Sequence, residues 1–215
     1  MNTEFIVLHY TKYGDSSLVL HTLSRDFGRK SFFVKSFGKK VGTKFFSPLN
    51  ILEASIERTA KSQLPVAKSF AMVLPLMGIR NNIYKCAIAM FMGEVLFKLI
   101  REGECEPELY DWAKKTIVLL DELPSNYNNF HLWVLLELSV VLGYAPTEQT
   151  LFSYAEEENE IMTKLLSLSF SEAMLLPLKG VQRNTLATSL IRYIEVHSES
   201  KININSLNVL RELYE

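Results

Sequence analysis

The sequence predicts an α+β chain, with a five-stranded barrel over residues 1–80 followed by an all-helical C-terminal domain over residues 81–215. Three observations predict it. Apolar residues fall in short β-prone runs as far as Met72 and at helical spacing from Ile83 onward. Turn signals, several carrying glycine, separate the early runs. Charge divides along the same line. Residues 1–80 carry 12 Lys+Arg against 5 Asp+Glu, a net of +7, and residues 81–215 carry 11 against 19, a net of −8, which together give the overall −1. Such asymmetry points to a polyanion-binding module joined to a part that does not bind polyanions.

The strands follow in order. Phe5–Tyr10 is β-prone, and Ser17–Leu23 follows the turn at Tyr13-Gly14-Asp15-Ser16. Arg25-Asp26-Phe27-Gly28 is a second turn, leading into Lys30–Lys35. A loop ends at Ser47-Pro48-Leu49, Asn50–Ile56 alternates as a fourth strand, and Val66–Met72 is the fifth. Five short strands of this kind suggest an OB-fold, the commonest five-stranded barrel. The helices are expected at 83–100, 108–123, 130–142, 160–168, 171–176, 184–197 and 206–213. Gly103 and Gly143 serve as end residues and Pro124 and Pro146 as stops. Phe130–Leu142 lacks a polar face, which implies burial on several sides. Arg80-Asn81-Asn82 is a change of period rather than a tether, so the domain boundary is placed there.

Composition excludes several classes. No uncharged run is long enough for a membrane span, and the first residues do not read as a signal peptide. Cys86 and Cys105 offer neither a disulfide framework nor a zinc pair, so a cytoplasmic location is expected, with no metal and no cofactor. Phosphate loop, GxSxG elbow and HExxH helix are all missing, and the chain is not expected to be an enzyme. His9 and His21 read as strand histidines, His131 as the start of an apolar helix and His197 as the end of another. The acidic run Glu156-Glu157-Glu158 with Glu160 reads as a solvated loop.

The segment from Arg25 to Lys44 is different. It holds Arg25, Arg29, Lys30, Lys35, Lys39, Lys40 and Lys44, opposed only by Asp26 and interleaved with Phe27, Phe32, Phe33, Phe37, Phe45 and Phe46. Cations release counterions from phosphates, and aromatic faces stack on unpaired bases. Strand alternation puts Lys30, Phe32 and Val34 on one face and Ser31, Phe33 and Lys35 on the other, so some of these phenylalanines belong to the barrel core. Gly38 and Gly42 make Lys35, Lys39, Lys40 and Lys44 a basic loop able to follow a backbone. The seven cations are the candidate DNA-binding residues. The alternative is an adaptor whose basic barrel binds an acidic protein.

Together these residues resemble the RecO family of bacterial recombination mediators. The resemblance is carried by Val7-Leu8-His9-Tyr10, Tyr13-Gly14-Asp15-Ser16-Ser17, Thr22, Phe27-Gly28 and Val34-Lys35-Ser36-Phe37-Gly38-Lys39-Lys40. It continues through Tyr84, Glu94 and Leu142-Gly143-Tyr144-Ala145-Pro146, and ends in Arg192-Tyr193, His197 and Ser206–Leu213. It implies an N-terminal OB-fold, a helical C-terminal domain, and binding to single- and double-stranded DNA near the nucleoid. It also implies annealing of complementary strands, and cooperation with RecR and single-strand-binding protein in loading RecA. Two departures stand out. Asp15 replaces the family's common Glu, and Thr147–Glu158 lacks the cysteines that bind zinc in many members, leaving Leu151, Phe152 and Tyr154 to pack that loop. The resemblance further implies capture of the acidic, apolar-tipped tail of single-strand-binding protein. Lys179, Arg183 and Arg192 are the candidate partner-binding residues, around a groove walled by Leu186, Leu190, Ile191 and Ile194.

Overall fold

The computed structural model describes residues 1–14, 16–35, 42–57, 64–155 and 158–214. Cα packing divides the chain into two compact units, Met1–Met77 with Gly93–Val118, and Gly78–Met92 with Leu119–Glu215.

The first unit is built on a closed barrel of β1 (Asn2–Tyr13), β2 (Ser17–Ser24), β3 (Gly28–Val34), β4 (Ile51–Glu57) and β5 (Val66–Met72), in the order β1-β2-β3-β5-β4. Its pairs are antiparallel except β3 with β5, which meet in parallel at Phe33 and Val66. This is the predicted five-stranded OB-type barrel. Alternation along each strand turns Phe5, Leu18, Leu20, Phe32 and Leu52 inward, all fully buried. A 3-10 helix, Thr43–Phe46, adds Phe46, which is also fully buried and meets Phe70 edge-on at 5.1 Å. Phe32 and Phe46 of the basic segment are therefore core, while Phe27, Phe33 and Phe45 are half-buried. Phe37, Gly38 and Val41 lie outside the described residues.

Two further helices contribute to this unit, α2 (Ile83–Leu99) and α3 (Pro107–Glu122); a short α1 (Met77–Arg80) precedes them. The boundary expected at Arg80–Asn82 falls between α1 and α2, whereas the packing units divide the chain after Met77, before Gly93 within α2 and after Val118 within α3. A Cβ at Gly93 would come within 2.9 Å of Pro48 Cβ and 3.0 Å of the Leu8 carbonyl, so only glycine lets the end of α2 lie this close to the barrel. Gly28 is equally constrained. Its φ is +61°, and a Cβ there would sit 1.6 Å from the Glu104 carbonyl oxygen. The segment after α2 thereby covers the edge of β3. The Arg29 amide donates to the Glu104 carbonyl, the Gly103 amide to the Arg29 carbonyl (3.0 Å), and the Ser31 amide to Glu102 Oε1 (2.9 Å). These bonds satisfy backbone groups that an open edge would expose.

The second unit is helical. It comprises α4 (Phe130–Val141), α5 (Glu148–Ala155), α6 (Asn159–Ser167), α7 (Phe170–Leu175), α8 (Gly180–His197) and α9 (Ser206–Tyr214), with α1 after Met77, the start of α2 and the end of α3. The all-round apolar α4 is buried on most sides, as its pattern predicts, and packs against α8. The part of the segment 147–158 from Glu148 to Ala155 is not a loop but helix α5, which packs on α8. Leu151 is buried and Tyr154 meets Tyr193 edge-on at 5.6 Å, but Phe152 is 67% exposed and holds nothing in place. The Tyr193 hydroxyl donates to the Tyr144 carbonyl (2.9 Å), fixing the turn before α5. Gly143, with φ +82°, follows the end of α4, and α8 begins at Gly180, one turn before the predicted start.

Candidate nucleic-acid interface

The outer face of β1–β3 is read directly from the strand register. Tyr13, Thr11 and His9 on β1 lie beside Ser17, Val19 and His21 on β2, and Val19 and His21 lie opposite Phe33 and Ser31 on β3. One half of this face is occupied within the unit. The Phe97 ring of α2 lies 5.2 Å from His9, 4.8 Å from His21 and 4.4 Å below the Arg29 guanidinium. His21 bridges Ser31 Oγ at 2.9 Å and Thr11 Oγ1 at 3.4 Å. Burial lowers the pKa of both histidines. The neighbouring Lys98 adds to this at His9 and Arg29 at His21, with Glu94 and Glu102 respectively opposing.

The other half is open. Tyr13 is 67% exposed and its ring meets Phe33 at 5.7 Å in an edge-on contact. Lys35, on the same alternation as Phe33, is exposed; Lys12 is exposed too, at the end of β1, but it pairs with the buried Leu18 and so stands on the opposite alternation from Tyr13. Aromatic faces flanked by lysines on strands 1–3 of an OB barrel suit an unpaired strand, with bases stacking on rings and phosphates meeting ammonium groups. Sequence reasoning missed Tyr13 and Lys12. Tyr13 reads as part of the turn at Gly14, although its odd-position alternation with Thr11 would have placed it on the outer face.

The five predicted DNA-binding cations among the described residues do not form one cluster. Lys35 borders the open patch. Lys44 is exposed on the 3-10 helix, with its carbonyl receiving Ser47 Oγ (2.8 Å). Lys39 and Lys40 lie outside the described residues. Arg25 is held by Asp111 in a two-pronged pair at 3.1–3.3 Å, with its side chain 60% exposed. Arg29 donates from Nη1 to the Ile100 carbonyl at 2.7 Å and stacks on Phe97, and burial lowers its pKa. It fastens α2 to the barrel rather than facing solvent. Lys30 is half-buried and lines a cavity with Met1, Phe27, Phe32, Ile56 and Pro65. α3 is fastened to the barrel as well. Lys114 pairs with Glu4 at 2.5 Å and the Tyr110 hydroxyl donates to the same oxygen; burial opposes these bonds, but they hold the Glu4 carboxyl below its usual range.

In the helical unit, Lys179 is exposed just before α8, and its amide donates to Gln182 Oε1 (3.0 Å). Arg183 is only 9% exposed, donates from Nη1 to the Leu178 carbonyl at 2.6 Å and lies 5.3 Å over the Tyr214 ring. Arg192 is exposed but stands nine residues further along α8, about two and a half turns, on the opposite side of the helix from Arg183. Leu186, Leu190, Ile191 and Ile194 are buried and wall no open groove. A shallow groove of about 450 Å³ lies elsewhere, between Val181, Thr185, Thr188 and Ser189 of α8 and Arg211 of α9. Arg211 donates from Nη2 to Thr188 Oγ1 at 2.8 Å, and Arg192 lies one turn beyond Thr188 on the same stripe of α8. Arg211 has no sequence signal beyond being basic near a helix end.

Among the described residues no group of His, Cys, Asp and Glu could hold a metal ion, and no helix is long and apolar enough to cross a membrane. The barrel, its open aromatic patch and the helical region define an OB-fold protein of the nucleic-acid-binding class. Comparison with known proteins agrees. The family described as recombination protein O N terminal matches residues 1–73, and recombination protein O C terminal matches residues 80–150. "DNA repair protein RecO" of Flavobacterium johnsoniae is 28% identical over 236 residues, covering 100% of this chain and 99% of that protein. The RecO of Azobacteroides pseudotrichonymphae is 24% identical, covering 99% and 98%. That of Porphyromonas gingivalis is 36% identical over 150 residues, covering 67% of this chain and 61% of that protein. The chain belongs to the RecO family of DNA repair proteins.

Proposed function

We propose that this protein binds single- and double-stranded DNA through the open half of the β1–β3 face, anneals complementary strands, and helps load the recombinase RecA onto DNA coated by single-strand-binding protein. The observation that carries this reading is the exposed Tyr13 ring set edge-on against the half-buried Phe33 on the outer face of the barrel, with exposed Lys35 on the same alternation and exposed Lys12 at the end of β1. The lysines neutralise phosphates without reading sequence, so single and double strands both bind, and two coated strands no longer repel each other. The rings add stacking that only unpaired bases can use. No covalent chemistry is required, and the protein acts in the cytoplasm at the nucleoid as a mediator rather than an enzyme.

RecR and the acidic tail of single-strand-binding protein are the proposed partners, with RecA engaged indirectly. In the helical unit the α8–α9 groove, with Arg211 at its wall and Arg192 beyond it, offers cations beside the exposed Val181. It suits such a tail better than the buried Arg183 does. The test is annealing of complementary oligonucleotides, bare and coated with single-strand-binding protein. Acceleration of both, with loss of the coated reaction alone in an Arg211→Ala/Arg192→Ala variant, is expected. Tight binding of an acidic protein with no annealing and no affinity for bare DNA would favour the adaptor reading instead.

A further inference from the structure

The barrel of the first unit has a second feature, a cavity whose wall residue Pro65 accepts a hydrogen bond from the Phe33 amide at 2.8 Å. Where the β2–β3 turn and the start of β5 meet the start of β1, this cavity of about 190 Å³ opens, lined by Met1, Phe27, Lys30, Phe32, Ile56 and Pro65. Its form follows from the strands. Lys30 shares the inward alternation of Phe32 and Val34 and, after Gly28, is the first side chain of that alternation along β3, so its stem lies along the barrel end. Phe27 is held over the opening by its amide, which donates to Ser24 Oγ at 3.1 Å. Lys30 is half-buried and makes no ion pair among the described residues. Thr3 lies nearby on the inward alternation of β1, two residues from Met1. It is 5% exposed, and its hydroxyl has no hydrogen-bond partner among the described residues.

We propose that this cavity takes up one unpaired nucleobase of a DNA single strand, with Lys30 on the adjoining phosphate. An apolar cavity of about 150 Å³ accepts a benzene-sized ring, so 190 Å³ accommodates a pyrimidine ring and not a base pair. The walls are two aromatic rings, a proline and two flexible or branched apolar side chains, with Lys30 among the lining residues. That arrangement matches a flat ring carrying its charge outside the ring. It offers few groups to read base edges, so capture is nearly independent of sequence. The inference rests on the DNA-binding reading above and adds a consequence to it. A base held here is lost to the pocket once it pairs, so the annealed product is retained by phosphate contacts alone.

The test uses the full chain with isotope-labelled isoleucine methyl groups, and three probes of equal length: oligodeoxythymidylate, an abasic deoxyribose-phosphate oligomer and a blunt duplex. Fluorescence anisotropy reports total binding, and the Ile56 methyl resonance reports the cavity. Oligodeoxythymidylate is expected to move the Ile56 resonance, while the abasic oligomer and the duplex leave it in place. Lys30→Gln and Phe27→Leu are each expected to lower single-strand affinity by about five- to tenfold while changing duplex affinity by less than about twofold. An Ile56 resonance unmoved at saturating oligodeoxythymidylate, or moved equally by the abasic oligomer, overturns the proposal. So does an Ile56 shift produced by N-acetylphenylalanine but not by DNA, which would assign the cavity to a peptide. Anisotropy separates these outcomes from failure of the broader reading, in which none of the three probes binds at all.

Discussion

Acidification is predicted to destabilise the helical unit through His131. This ring is 1% exposed, stands edge-on to Phe91 at 6.0 Å and stacks with Tyr214 at 6.3 Å, and its Nδ1 has no partner among the described residues. Burial, and then the charge of Arg183, push its pKa down from 6.5 to about 3, with a hydrogen bond to the Asn128 backbone opposing. Because the folded value lies below the unfolded one, the unfolded chain takes up the proton first as pH falls. The associated stability is complete above the unfolded pKa and declines by about 1.4 kcal/mol per pH unit below it. It totals about 5 kcal/mol by the point at which the native ring itself protonates. Urea denaturation from about pH 7 to about pH 5, followed by the fluorescence of Trp133 in this unit, measures the effect. His131→Phe removes the titration, so the wild type should lose about 2 kcal/mol more than the variant over that interval. His9 and His21 shift in the same direction but are common to both proteins. Parallel pH dependences for wild type and variant would refute the assignment.

Four further outcomes follow from the same geometry. Gly28→Ala should destabilise the barrel by about 3 kcal/mol or more, since the added methyl meets the Glu104 carbonyl and the backbone is left-handed there; a thermal melt checks it. Arg25→Ala should leave the melting temperature nearly unchanged, because its pair with Asp111 is exposed and screened by solvent, and should leave DNA affinity nearly unchanged. Arg183→Ala should cost about 2–3 kcal/mol of stability by removing a buried charged donor, whereas Arg192→Ala should leave the denaturation midpoint in place. A Lys35→Ala/Lys39→Ala/Lys40→Ala/Lys44→Ala variant should flatten the dependence of log affinity on log salt by about 0.7–0.9 for each phosphate left without its lysine.

The barrel was legible in the sequence because its strands are short, glycine-punctuated and alternating. The inward faces of Leu18, Leu20 and Phe32 follow from period two alone. Helix α4 was legible from its uniform apolarity, but α5 was not. Glu148–Ala155 has a mixed pattern, and its helical state rests on Leu151 and Tyr154 packing on α8, a tertiary contact that propensity does not carry. The candidate site shows the same limit. Charge density along the chain located the basic segment but could not tell a cation that faces solvent from one spent on packing. Arg29 and Lys35 look alike in sequence, yet Arg29 is fixed by the Ile100 carbonyl and the Phe97 ring, both distant in the chain. Arg183 and Arg192 look alike too, and only the helical phase and the Tyr214 ring separate them. Tyr13 was overlooked for the opposite reason, since a residue beside a turn glycine reads as loop until β1 is seen to run as far as Tyr13.

The central claim is that the open half of the β1–β3 face is where DNA binds, and a salt series of binding titrations tests it most directly. Single-stranded and duplex oligonucleotides would be titrated against wild type, Tyr13→Ala and Lys12→Ala/Lys35→Ala at several salt concentrations. Removing the Tyr13 ring should weaken single-strand binding by about 1–3 kcal/mol with the salt slope unchanged and duplex affinity little altered. Removing the two lysines should weaken both substrates and reduce the slope by about 1.4 for single strands and about 1.8 for duplex. Wild-type affinity and slope in both variants, with folding intact, would place DNA on another surface and contradict the claim.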